Sequence, residues 1–375
     1  MKVILLKDNF KKGLSIVEKI VGKNLNLPIL NNVLIAAEKN FLGLSTTDLE
    51  IAIRYWILVK TEEEGKITIP AKLLSSLVNF ISDEKITLEI KNQILQIQHK
   101  ENINQINGLS SEEFPIIPKI ERKNSIEVNS IPFCQGLAQV IDFCAQTQIR
   151  PEISGIYFNI QKDKISLAAT DSFRLAEKII LFGKQIIENQ ESSFILPQKA
   201  ARELINIFSA GDQKIKIFFS NNQVMFEYPL TEVDHPQVQV ISRLIDGQYP
   251  NYIEIIPTKY ETEIVVQKEE FLNQIKAASL FSGKTNEIQI KTNIKKEGIE
   301  ILSQNTDIGE NKSFMPCKIE GKEAVISFNY RFLIDGLINM KSQEINLLLS
   351  GEEGPAVLKP IGDATYTYVV MPIKK

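Results

Sequence analysis

The sequence predicts an α+β fold of three pseudo-repeated domains, each with two helices packed on antiparallel sheets. Three recurring features carry that expectation. A Thr-Asp pair stands at Thr47-Asp48, Thr170-Asp171 and Thr306-Asp307, at spacings of 123 and 136 residues. A strand, a polar break and a phenylalanine opening a helix recur around Phe10, Phe133 and Phe271, at spacings of 123 and 138. Beyond each Thr-Asp pair a short strand runs into a helix, in "TIPAKLLSSLVNFI", "ILPQKAARELINIF" and "ISFNYRFLIDGLIN". An ordered trio repeated at one interval marks duplicated units, here about 125 residues each, a third of the 375-residue chain.

Taken in order, "MKVILL" reads as a first strand, too short for a secretory signal. Phe10, Leu14, Val17 and Val21 then share one helix face. Leu73, Leu74, Leu77, Val78 and Ile81 do the same for a second helix. Pro70 and Pro197 mark helix starts, where a missing N–H costs nothing. The segments "KITLEI", "ILQIQ", "KIKIFF", "QVMFEY" and "EINLLL" alternate as strands, and polar turns such as Asn221-Asn222 join them as antiparallel hairpins. The polar stretches "KIERKNS" and "PTKYETE" read as linkers, which places the domains at 1–120, 126–256 and 262–375.

Composition excludes several classes. Apolar residues make up 43% and charged residues 24%, as in a soluble globular protein, and no apolar run approaches the roughly 20 residues of a membrane span. Cys134, Cys144 and Cys317 lack metal-type spacing and fit a reducing, cytoplasmic setting. There is no phosphate-binding P-loop and no glycine-rich dinucleotide turn. His99 and His235 stand far apart without ligand patterns, and Asp171-Ser172 resembles no nucleophile elbow. No catalytic residue, metal or cofactor is therefore expected. The Thr-Asp pairs are expected to bond nearby backbone N–H groups and shape a turn at a strand end.

Charge is more informative. Two residues past Pro70, Pro197 and Asn329 stand Lys72, Lys199 and Arg331. A cation in the first turn opposes the helix macrodipole by about 0.3–1 kcal/mol, so its threefold recurrence calls for an outside partner. Arg202 lies one turn on from Lys199, and Lys12, Lys23 and Lys276 add charge on or beside the first helices of copies one and three. Copy two is the exception, with no Lys or Arg between Asn129 and Gln148. Such faces attract phosphate without reading bases. A formal charge of −3 then requires the acidic residues to lie elsewhere.

The motifs "NLPILNNVLI", "LSTTDLEIAI", "IPAKLL", "RPEISGIYF", "AATDSFRLA", "DGQYPNYIEIIP" and "YVVMPIKK" together resemble the bacterial DNA polymerase III β subunit family, the sliding clamps, over essentially the whole chain. The resemblance implies three DNA-clamp domains forming a ring as a homodimer, with helices lining the hole. Such a ring encircles double-stranded DNA without sequence preference. It tethers the replicative DNA polymerase, the clamp loader and repair proteins through short linear motifs. It also implies a partner-peptide pocket at Ile153, Thr170, Ser172, Phe173, Arg174, Leu175, Pro250, Ile255, Val369, Met371 and Pro372. An apolar cleft with few polar groups suits such peptides, and Met371 can repack around different anchors. Arg150 matches a loop position associated with DNA, and the subunit interface is expected to pair an edge strand near Ile106 with the helix end at Leu280-Phe281. Two departures stand out: Ser172-Phe173 replaces a frequent Gly-His, and Asn24 stands where a basic residue is common. The alternatives are a three-repeat protein-interaction scaffold without DNA encirclement and an enzyme built around Asp171.

Overall fold

The computed structural model describes residues 1–22, 26–122, 125–147, 149–182, 192–231 and 233–374. Lys23 and Asn24 lie outside the described residues. Six α-helices are described: α1 (Lys7–Val17), α2 (Ala71–Phe80), α3 (Ser130–Val140), α4 (Gln198–Phe208), α5 (Lys268–Ser279) and α6 (Tyr330–Ile338). Each repeat contributes two of them, and the strands between pair antiparallel, with short 3-10 turns and loops joining them. Phe10, Phe133 and Phe271 are each the fourth residue of their helix and each fully buried. In copies one and two a glycine follows three residues later. A Cβ on Gly13 would come within 2.8 Å of the Tyr55 ring, and one on Gly136 within 2.8 Å of Ile180. These two helices therefore sit directly on their sheets.

The helices are shorter than the hydrophobic pattern implies. α1 stops at Val17, a 3-10 turn covers Glu18–Ile20, and Val21 is buried in extended backbone beyond both. α2 buries Ala71, Leu74, Ser75 and Val78, at the i, i+3, i+4 and i+7 positions of one face. Leu73, expected in the core, is 55% exposed and shares a second apolar stripe with Leu77 and the exposed Phe80. Ile81 is buried but already extended.

Among the described residues four sheets carry the strands. One has Lys60–Glu63, Lys2–Leu6, Lys85–Lys91, Ile94–His99 and Asn102–Asn107 in spatial order. A second has eight strands, from Ser125–Asn129, Lys214–Phe219, Gln223–Pro229 and Pro236–Arg243 of copy two into Ile51–Leu58, Phe41–Thr47, Asn32–Glu38 and Gly65–Pro70 of copy one. A third has nine, joining Ser192–Pro197, Gly155–Ile160, Lys164–Thr170 and Arg174–Leu181 of copy two to Tyr366–Val370, Ala356–Pro360, Glu344–Leu349, Thr262–Gln267 and Lys318–Gly321 of copy three. The last has Gly309–Pro316, Gly298–Asn305, Glu287–Asn293 and Val325–Asn329.

Sheets that run across the repeat boundaries have a consequence for compactness. The chain forms two units: Met1–Cys134 with Lys199–Leu244, and Gln135–Gly183 with Ile245–Lys375 and the strand before α4. Copy two is thus divided, because each of its two sheets is continuous with a neighbour.

Candidate functional site

The recurring dipeptide builds the same turn twice. The Thr47 hydroxyl donates to the Ile51 carbonyl at 2.9 Å and accepts from the Leu49 N–H at 3.0 Å. One Asp48 carboxylate oxygen accepts from the N–H groups of Glu50 and Ile51 at 3.0 and 2.7 Å. In copy two the Thr170 hydroxyl donates to the Arg174 carbonyl at 2.7 Å and accepts from the Ser172 N–H at 3.1 Å. Asp171 accepts from the N–H groups of Phe173 and Arg174, both at 3.0 Å. Leu49 and Ser172 occupy the same left-handed position, at φ +77° and +78°.

The third pair does not match. Asn329 pairs with Glu287 as Pro197 pairs with Gly155, and counting along the ladders places Gln304-Asn305 where Thr170-Asp171 stands. Thr306-Asp307 is therefore two residues out of register. Asn305 takes the carboxylate's part, its side chain accepting from the Asp307 N–H at 2.9 Å.

Beside the copy-two turn lies a groove of about 650 Å³, lined by Ser172, Phe173, Thr285, Asn329, Phe332, Met371, Pro372, Ile373 and Lys374. Backbone bonds fix its walls: the Met371 N–H donates to the Phe173 carbonyl at 2.9 Å, and the Ile373 N–H to the Ser327 carbonyl at 2.8 Å. Phe173, 61% exposed, stacks on Phe332 with ring centroids 6.2 Å apart. The Arg174 guanidinium lies 4.7 Å from the Phe332 centroid and 5.2 Å from that of Phe143. It also bonds Asp171 at 2.9 Å and Asp335. Burial alone would lower the Arg174 pKa, but the bonds to Asp335 and Asp171 outweigh it and hold it above its ordinary value. A fixed cation under an aromatic wall keeps that wall in place. The volume falls in the range of about 300–1,000 Å³ typical of ligand sites.

The structure divides the expected pocket. Ser172, Phe173, Met371 and Pro372 line the groove, and Arg174 supports it. Ile153, Thr170, Leu175 and Val369 do not line it; they are buried, Ile153, Leu175 and Val369 in a cluster with Tyr249, Tyr252 and Val357. Pro250 and Ile255 lie on the segment around the 3-10 turn Tyr252–Ile255, with Ile255 exposed. Thr285, Asn329, Phe332, Ile373 and Lys374 escaped the sequence reading. The available signal was Phe332, an aromatic residue in the first turn of α6 just after its N-cap Asn329. Arg150, expected to face DNA, is exposed and bonds Ser172 at 3.2 Å and Glu152 at 3.0 Å.

Lys72, Lys199 and Arg331 are each the second residue of α2, α4 and α6, and each is exposed. They differ in surroundings. Lys199 is ion-paired with Asp48 of the copy-one turn, while Arg331 lies against the Tyr330 ring at 5.9 Å. Lys12, Arg202 and Lys276 are also on the surface. Asn102–Asn107 is a sheet edge, as expected, but Ile106 points into its own core at 5% exposure and Ile103 is the exposed apolar residue, at 58%. Leu280, capping α5, is 72% exposed, and Phe281 is half-buried.

Burial pushes the Cys134 thiol up to about 12 and that of Cys317 up to about 11, so neither supplies a thiolate near neutral pH. Among the described residues no cluster of His, Cys, Asp or Glu could hold a metal ion, and no helix is long and apolar enough to cross a membrane.

Models of the DNA polymerase III beta subunit match along the chain: the N-terminal domain at residues 1–118, the central domain at 130–251 and the C-terminal domain at 253–374. The beta sliding clamp of Bacillus subtilis is 28% identical over 386 residues, covering 100% of both chains. That of Synechococcus elongatus is 27% identical over 380 residues, covering 100% of this chain and 99% of that protein. The crystal structure of the Bacillus subtilis DNA polymerase sliding clamp superposes with a TM-score of 0.92 at 27% identity, covering 100% of this chain and 99% of that one. The DNA polymerase III subunit beta of Pseudomonas aeruginosa, at 21% identity and a TM-score of 0.93 with full coverage of both chains, shares the fold.

Proposed function

This chain belongs to the DNA polymerase III beta subunit family, and we propose that two copies close head to tail into a ring around duplex DNA. There it serves as a sliding clamp for a polymerase and other motif-bearing proteins. The observation that carries the reading is the pattern of strand pairing. At the first repeat boundary Ile51–Leu58 pairs with Pro236–Arg243, and at the second Arg174–Leu181 pairs with Tyr366–Val370. The strands in the corresponding places of the third boundary are Gly309–Pro316 and Asn102–Asn107, and both are sheet edges. Long exposed edges are a liability that proteins normally cover. A second copy covers each with the other, and a twofold arrangement uses both without leaving a free end.

The internal boundaries also set the register. Val240 opposes Ile53 and Tyr368 opposes Ala176. Carried through the ladders, the same offset places Asn104 opposite Asn311 of the second copy. Directly opposed residues bring their Cα atoms about 4.5–5.5 Å apart, within disulfide reach. The double variant Asn104→Cys/Asn311→Cys is expected to give a covalent dimer on mild oxidation, read on a non-reducing gel, with neither single variant doing so. An uncrosslinked double variant would remove the proposed register. The native molecule is expected to sediment at twice 42.5 kDa.

Around DNA the exposed cations in the first turns of α2, α4 and α6 supply sequence-independent attraction. Weak phosphate contacts suit sliding because they carry no register on the bases. Replacing Lys72, Lys199 and Arg331 by Glu is expected to weaken association with duplex DNA. The slope of log affinity on log salt should flatten by about 0.9 for each phosphate no longer neutralised. Lys199→Gln serves as the control for loss of the Asp48 ion pair. An unchanged salt slope would put these residues off the DNA path.

The groove at Phe173 and Phe332 is the proposed seat for short motifs of the polymerase, the clamp loader and repair proteins. What supports this is an exposed aromatic wall, a thioether that repacks and few polar groups.

A further inference from the structure

We propose that the boundary between the first two copies carries a second recognition site, which takes the C-terminal apolar residue of a partner protein. The site reuses the parts that build the groove at the second boundary. The Arg243 N–H donates to the Glu50 carbonyl at 2.9 Å, as the Met371 N–H does to the Phe173 carbonyl at 2.9 Å. Ile51 opposes Ser242 as Arg174 opposes Val370, and the turns between share the left-handed residue at Leu49 and Ser172. The inference rests on this repeat and on residues outside the groove, so it stands independently of what the groove binds.

One substitution opens space here. Ala52 pairs with Thr47 as Leu175 pairs with Thr170, so copy one has a methyl group where copy two buries a leucine. A cavity of about 240 Å³ results, with Ile51, Ala52, Ile117 and Ile241 forming an apolar floor. That is under half the groove's volume and below the size of drug-like ligand sites, so it admits one side chain, not a multi-anchor motif.

At the mouth the turn shared with copy two sets the backbone. Leu49 is held at φ +77°, a region rarely used by residues with a branched side chain, and is nonetheless 46% exposed. Ile116 across the mouth is 95% exposed. Arg243 also lines the cavity; its backbone bonds Glu50 and Ser242, and its exposed side chain makes no ion pair or hydrogen bond among the described residues. Glu50 is the other charged residue lining the cavity; its charge disfavours a carboxylate, so the pairing with Arg243 has to outweigh it. An apolar slot beside one guanidinium matches a residue that carries both a side chain of leucine size and a terminal carboxylate.

The test uses N-acetyl-leucine as probe on the full-length protein with labelled Ile and Leu methyl groups. Expected are saturable shifts at Leu49, Ile116 and Ile117 at millimolar concentrations, with Ile373 of the groove unmoved. N-acetyl-leucinamide, or the Arg243→Gln protein, is expected to bind at least about tenfold more weakly, because a charge-assisted pair is removed. Ala52→Leu fills the slot and is expected to abolish the shifts while leaving the methyl spectrum elsewhere intact. No saturable shift up to about 10 mM, a range that already admits binding of only about 3 kcal/mol, would overturn the proposal. Equal binding of the amide, or unchanged binding to Ala52→Leu, would do the same.

Discussion

Leu280→Asp is expected to convert the protein from dimer to monomer. Leu280 caps α5, which packs on the edge strand Gly309–Pro316, and it is 72% exposed in the single chain. Covering a leucine stabilises by about 1.5–3 kcal/mol, and an aspartate there must be desolvated without a partner. A closed head-to-tail dimer contains the interface twice, so a loss of about 3 kcal/mol at each becomes about 6 per ring, or roughly four decades in the dissociation constant. Sedimentation over a dilution series reads it. Ile103→Asp on the opposite edge should behave alike, whereas Ile106→Ala should act through its own buried core by destabilising the fold. Dimers of unchanged affinity for both Asp variants would mean that the edges do not meet.

The second large effect concerns the groove. Phe332→Ala and Met371→Ala are each expected to weaken binding of a motif peptide at least about thirtyfold, the effect of truncating an anchor worth about 2 kcal/mol or more at an interface centre. Dimerisation should be unaffected, since neither residue lies on the two open edges. Leu175→Ala provides the contrast. At 2% exposure in the cluster with Tyr249 and Val369, it should lower stability by about 2–5 kcal/mol through a cavity, with peptide binding falling only as the fold loosens. Fluorescence titration beside thermal melting separates the two. Peptide affinity that tracks Leu175 and ignores Phe332 would move the site into the buried cluster.

Much of the fold was readable from local pattern. The three phenylalanines each occupy the fourth position of a helix because a buried aromatic one turn in anchors the helix to its sheet. Strands such as Lys214–Phe219 and Glu344–Leu349 follow directly from alternation. What local pattern misjudged was register. Thr306-Asp307 matched as letters while Gln304-Asn305 holds the place in the ladder. Ile106 and Ile103 sit on one edge strand but on opposite faces, and parity alone decides which is exposed. The groove was half legible for a related reason. Phe173 and Phe332 are brought together by the pairing of Arg174–Leu181 with the last strand and by α6 beside it. No spacing in the chain announces that pairing.

Whether the ring encircles duplex DNA is decided by its retention on closed against cut circles. The protein is placed on a nicked circle by a clamp loader, passed through a sizing column, and the circle is then cut once. It is expected to stay with the circle, even at a salt concentration that strips phosphate-bound proteins, and to leave once an end exists to slide from. Equal retention on circular and linear DNA would show that the protein grips the duplex, and topological tethering would have to be abandoned.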